Sequence, residues 1–155
     1  MRTLAFAFKG TNSERILNQI DVDGLVKHYV SSSESAIQDF IEAINLEEYD
    51  GFLGLGLYTG RGRDQLRIER HASNQFRSKS PAVSFIQIPY GFRPNGQFKV
   101  TSGMGQSYCN LISYLLAQRL TDAASGQSYN FIHIPSEFDE LVAANAITRQ
   151  LTSTS

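Results

Sequence analysis

The sequence predicts an α/β fold, a single domain built as a three-layer sandwich around a mostly parallel, twisted central sheet. Three observations predict it. Strand-like and helix-like segments alternate along the chain, the pattern that right-handed crossovers convert into parallel strands. The stretch Tyr49-Asp50-Gly51-Phe52-Leu53-Gly54-Leu55-Gly56 is apolar without alternation, as expected of a strand covered on both faces. The 155 residues are 41% hydrophobic and 11% aromatic, enough apolar material to bury one substantial core.

The elements follow in order. Thr3 to Phe8 reads as a first strand, and Thr11-Asn12-Ser13 as the cap of a short helix through Gln19. Val26 to Val30 is a weaker strand. Ser33-Glu34-Ser35-Ala36 opens a better helix, because Ala36, Ile37, Phe40, Ile41 and Ile44 recur at three-to-four spacing and share one face; it ends near Asn45. Tyr49 to Gly56 is the central strand. Gln65 to Ala72 alternates, placing Leu66, Ile68 and Arg70 on one face and Arg67, Glu69 and His71 on the other.

Val83 to Ile88 and Gln97 to Thr101 flank the turn-rich segment Pro89 to Gly96, which predicts a hairpin or an irregular arm beside the sheet. A helix is expected from about Gly105 or Gln106 to Thr121, then a last strong strand from Phe131 to Ile134. Ser136 is the expected cap of a closing helix. The domain spans 1–150, and the polar tail 151–155 is expected to fray. No internal repeat, linker or low-complexity block divides the chain.

Charge and composition exclude several classes. Lys and Arg number 14 against 15 Asp and Glu, so there is no broad electrostatic footprint for a polyanion or an acidic membrane, and nucleic acid is not an expected partner. The apolar runs are too short to span a bilayer. The single cysteine cannot form an internal disulfide and the N-terminus lacks a secretory pattern, which points to a reducing cytoplasm.

That cysteine, Cys109, stands between a glycine-rich stretch and an apolar helix. His133 ends a short apolar strand, and Glu69 lies forty residues before the cysteine. In this fold all three come from segments that open onto the carboxyl edge of the sheet. A free thiol of pKa ~8.5 is only a few per cent ionised at neutral pH, and a helix N-terminus adds only about 0.3 to 1 kcal/mol of preference for the anion. A histidine within reach is therefore needed to take the thiol proton, with a carboxylate behind it to fix the tautomer. Amide hydrolysis through an acyl-enzyme is the natural reaction for this set. His71 is a rival base because it shares a strand face with Glu69.

Gly54 to Arg61 resembles a dinucleotide loop only superficially: the third glycine falls one place late and a strand follows. His28, His71, His133 and Cys109 lack metal-ligand spacing. No metal or cofactor is expected.

The three segments resemble the pyroglutamyl peptidase I family, or pyrrolidone carboxyl peptidases, cytosolic cysteine exopeptidases of an α/β fold that remove an N-terminal pyroglutamate. The family's Gly-x-x-x-Cys-Asn pattern with a following aromatic residue is matched by Gly105, Cys109, Asn110 and Tyr114. Its Phe-Ile-His-Val/Ile-Pro strand end is matched by Phe131-Ile132-His133-Ile134-Pro135. Its Leu-Gly-x-x-x-Gly-Arg and Glu-Arg-x-Ala-x-Asn unit is matched by Leu55 to Arg61 and Glu69 to Asn74. The resemblance covers roughly Phe52 to Glu137.

It implies Cys109 as nucleophile, His133 as general base and acid, and Glu69 as the orienting carboxylate; apart from the resemblance, Glu69 reads as a structural ion-pair partner of Arg61 or Arg67. The resemblance implies a substrate-binding set of Leu57, Tyr58, Lys79, Ser107 and Tyr108, a small peptide or N-acyl amide substrate, and a homo-oligomer. The departures concern the pocket. The family's Gly-Phe-x-Pro-Phe-Gly-Gly loop has only a faint echo in Ala5 to Ser13, where Phe6 and Phe8 read equally as core. Leu57 stands where many members have Gln, and Ser107 where an aromatic residue is usual. The arginine that follows the family glutamate is matched by Lys79 in spacing and by Arg77 in residue type. The chain is also short for the family. A non-catalytic descendant serving as a binding or assembly module is the alternative expectation.

Overall fold

The computed structural model describes residues 1–60, 62, 64–77 and 83–153. Among the described residues eight strands are formed: β1 (Thr3–Phe8), β2 (Leu25–Val30), β3 (Gly51–Tyr58), β4 (Leu66–Glu69), β5 (His71–Ser73), β6 (Phe85–Gln87), β7 (Phe98–Thr101) and β8 (Ser128–Pro135). The helices are α1 (Asn12–Gln19), α2 (Glu34–Ala43), α3 (Tyr108–Asp122) and α4 (Glu140–Ser153). Six strands make the main sheet in the order β2-β1-β3-β8-β4-β7, parallel except for the β4–β8 pair. β5 and β6 form a separate antiparallel ribbon.

Strand alternation divides the buried side chains into two layers. Ala5, Ala7, Leu53, Leu55, Ile132 and Ile134 face α1 and α4, meeting Ile16, Leu17, Ala143 and Ile147. Leu4, Phe6, Phe52, Tyr129 and Phe131 face α2 and α3, meeting Ile37, Ile41, Ile112 and Leu116. The sandwich therefore has the three layers expected. The second layer is aromatic, and each buried ring contributes roughly 1.5 to 3 kcal/mol. Gly54 makes room for it: a Cβ there would lie 2.5 Å from Phe6 and 2.7 Å from Phe131.

Three local expectations are corrected. The segments flanking Pro89 to Gly96 do not pair as a hairpin; β7 joins the main sheet beside β4, while β6 pairs with β5. The chain leaves the main sheet at Arg70, so the single alternating run expected from Gln65 to Ala72 is two strands in two sheets. The closing helix begins later than Ser136, because a turn bonding Phe138 N–H to Pro135 O intervenes. Asp139 supplies its cap instead, its Oδ1 accepting from Val142 N at 2.9 Å. That helix continues to Ser153, with Leu151 buried.

Candidate active site

His133, Glu69 and Cys109 reach one region because three strands present the same face to α3. In β8 the residues Tyr129 and Phe131 belong to the layer facing α3, and His133 follows at the same parity. The register sets Gly56 of β3 beside His133 on one side and Arg67 of β4 on the other. Paired residues share a face, so Arg67 and, two residues on, Glu69 also point toward α3.

His133 Nδ1 lies 3.0 Å from Glu69 Oε1, with His133 4% and Glu69 0% exposed. This leaves Nε2 as the ring nitrogen free to meet a reacting group. The Cys109 sulfur occupies the gap above Gly56: a Cβ at Gly56 would lie only 2.6 Å from Sγ. Since Gly56 is the register partner of His133, the sulfur sits over the strand residue next to the histidine, on the same face of the sheet.

Cys109 is the second residue of α3, after Tyr108 and the N-cap Ser107. Amide N–H groups at such a start have no partner within the helix. Asn110 fixes where the helix begins. Its buried side chain accepts from Ser73 N at 2.8 Å and donates to Ser73 O and Gln75 O at 3.0 and 2.6 Å. The sequence presented this residue only as the neighbour of the cysteine.

Burial pushes the Cys109 thiol up to about 12, the Glu69 charge adds to the rise, and the residue's own backbone N–H opposes it. Glu69 moves the other way. Burial raises it, but the hydrogen bond and charge of His133, then Thr101 and the charge of Arg67, bring it below the ordinary carboxylate value. Thr101, the register partner of Glu69 on β7, acts from beyond standard hydrogen-bond range, since neither its hydroxyl nor Glu69 Oε2 has a bonded partner. Arg67 Nε lies 3.5 Å from Glu69 Oε1.

The remaining expected site residues divide. Tyr58 is with the group: its ring is 5.8 Å from that of His133 and lies under the Arg67 guanidinium at 4.1 Å. Ser107 is exposed at the start of α3. Tyr108 turns aside to Phe76 and to Arg77, whose Nη2 donates to its hydroxyl at 2.7 Å. Leu57 is not brought in; its register partner Ile134 belongs to the layer facing α1 and α4, so alternation turns Leu57 to the opposite face from His133. Lys79 and Arg61 lie outside the described residues. His71 sits in the β5–β6 ribbon beside Phe85, not on the strand that carries Glu69. Phe6 and Phe8 are core.

Sequence reasoning missed Gly56 as the seat of the sulfur, although a glycine inside a buried strand signals close approach by another group. Among the described residues no group of His, Cys, Asp and Glu has the arrangement to hold a metal ion, and no helix is long and apolar enough to cross a membrane.

No protein-family model matches the chain, and no curated protein does. Solved structures do match. The pyrrolidone carboxyl peptidase from Thermus thermophilus aligns with a TM-score of 0.76 at 19% identity, over 96% of this chain and 98% of that one. The enzyme from Thermococcus litoralis gives 0.69 at 13% identity, over 98% and 92%. Pyroglutamyl peptidase I from Bacillus amyloliquefaciens gives 0.68 at 18% identity, over 97% and 91%. The likeness is one of fold, along nearly the whole length of each chain.

Proposed function

We propose that the chain is a cysteine-dependent amidase or exopeptidase that removes a small N-terminal acyl group, pyroglutamyl or related, through a thioacyl intermediate. The observation that supports this most directly is the buried His133–Glu69 pair beside a sulfur seated over Gly56. Glu69 holds Nδ1 and fixes the tautomer, so Nε2 takes the thiol proton as sulfur attacks the amide carbonyl. The oxyanion is met by amides at the start of α3, which have no partner within the helix. Collapse expels the amine, which receives the proton from His133; water, deprotonated by the same nitrogen, then cleaves the thioester and restores the thiol.

A thiol raised to about 12 rests protonated at neutral pH. Attack is therefore coupled to proton transfer, a contribution of about 10² to 10⁴ in rate from the base. Turnover of a panel of pyroglutamyl and N-acyl aminoacyl amides tests the reading: hydrolysis is expected for at least one, and Cys109→Ala and His133→Ala are each expected to abolish it. Hydrolysis unchanged in Cys109→Ala rules out the nucleophile.

The burial that raises the thiol also favours the second reading, a binding or assembly module that keeps the fold without the reaction. No turnover of any amide in the panel, by protein shown to be folded, supports that reading. A reducing cytoplasm and self-association belong to both proposals.

A further inference from the structure

Arg67 is only 9% exposed, yet its guanidinium spends little of its bonding capacity. Its partners among the described residues are Glu69 Oε1 at 3.5 Å and the Tyr58 ring at 4.1 Å. Its Nε is buried without a hydrogen bond. On β7 its register partner is Lys99, half-buried and, among the described residues, in no ion pair. Like charges placed directly opposite across strands repel. The carboxylate beside Arg67, Glu69, is committed to His133, and exposed Asp64 pairs with neither cation. Among the described residues this corner of the site therefore holds two cations against one carboxylate, an excess of one positive charge.

Arg67 is also the register partner of His133, so the excess charge lies one strand from the reacting histidine. Stacking on Tyr58 fixes the plane of the guanidinium fork. Exposed Gly103 borders the guanidinium, since a Cβ there would lie in ordinary contact, 3.5 Å, with Arg67 Nη2.

We infer that Arg67 and Lys99 form an anchoring site for a carboxylate on the substrate, so that the preferred substrate is an amide bearing an acidic group and not a neutral lactam. A planar fork takes a carboxylate by two parallel hydrogen bonds, and one excess charge matches a monoanion. The inference deepens the amidase reading and rests on it for the word substrate.

The test is a calorimetric titration of the Cys109→Ser protein with glutaramate, which carries one carboxylate and one amide, and with glutaramide, which carries two amides. Glutaramate is expected to bind at least about tenfold more tightly, the size of one charge-assisted hydrogen bond. The preference is expected to vanish in Arg67→Gln, to shrink in Lys99→Gln and to weaken with salt. Half-buried Lys99 decides the matter where Arg67→Gln fails to fold. Equal affinity for the two probes, binding of neither, or a preference untouched by Lys99→Gln in folded protein overturns the anchoring site. Parallel turnover assays separate the two readings: a glutaramate preference without Cys109-dependent hydrolysis of any amide overturns the amidase and leaves an anion site, whereas hydrolysis of neutral amides with no acidic preference overturns the anchoring site alone.

Discussion

The Cys109 sulfur fills the space that a side chain at Gly56 would occupy, 2.6 Å from where its Cβ would stand. The same Cβ would lie 2.7 Å from Phe131 Cζ, so neither neighbour gives way without disturbing the other. Gly56→Ala is expected to cost about 1 to 3 kcal/mol by overpacking. Displacing the sulfur by about 1 Å is expected to lower kcat/KM on the order of 10²-fold. Urea denaturation and turnover check the two effects; a fully active, equally stable variant would show that the sulfur has room elsewhere.

Asn110→Ala removes the pin that sets the start of α3. Four hydrogen bonds go, and the Ser73 N–H is left without its acceptor, which costs about 1 to 3 kcal/mol. Because the bonds anchor the turn that carries Cys109, activity is expected to fall further than stability alone accounts for, measured as kcat/KM at a temperature where the variant is folded. Asn110→Asp does not rescue: it keeps the acceptor for Ser73 N but turns a carboxylate oxygen toward the carbonyls of Ser73 and Gln75.

The elements that sequence made legible are those whose pattern is set locally. The continuous apolar run of β3 and the spaced Ile37 and Ile41 of α2 declare burial on both faces and on one face respectively. Cys109, His133 and Glu69 were legible as types of residue at element ends. The pairing of β7 with β4 was not, because it depends on where a distant edge is free. Nor was the sulfur's place over Gly56, which needs the register of β3 against β8 together with the packing of α3. Leu57 shows the limit of matching by position, since a parity it cannot escape turns it away from His133. Arg67 was visible only as a possible counter-charge to Glu69; its unspent donors emerge from burial.

Cys109 is half-buried, and the desolvation of its thiol should show in alkylation. With its ionisation pushed up to about 12, Cys109 is expected to react with iodoacetamide at pH 7 more slowly than free cysteine, and the rate should climb through pH 9 and beyond where a free thiol of ~8.5 levels off. A rate that plateaus near pH 8 would mean that the sulfur is solvated in solution.

Glu69 ties stability to acid. Its folded ionisation lies below the ordinary value because His133, Thr101 and Arg67 together outweigh burial, while Cys109, the other titratable group facing it, stays neutral. On acidification the unfolded chain therefore binds the proton first, at about 4.3, and the folded chain only lower. The stability that Glu69 contributes is fully present above that window and is lost as pH falls through its folded value. Glu69→Gln has nothing to titrate. It is expected to be less stable than the wild type by about 1 to 3 kcal/mol at pH 7, the range for a hydrogen bond to a charged group and for the penalty of leaving its partners unmet. The gap should narrow steadily below about pH 4.3. Urea midpoints measured from pH 7 to pH 3 for both proteins decide it: two curves that stay parallel would remove Glu69 from the electrostatic account of the site, since a carboxylate held by His133 and Arg67 cannot be protonated without cost.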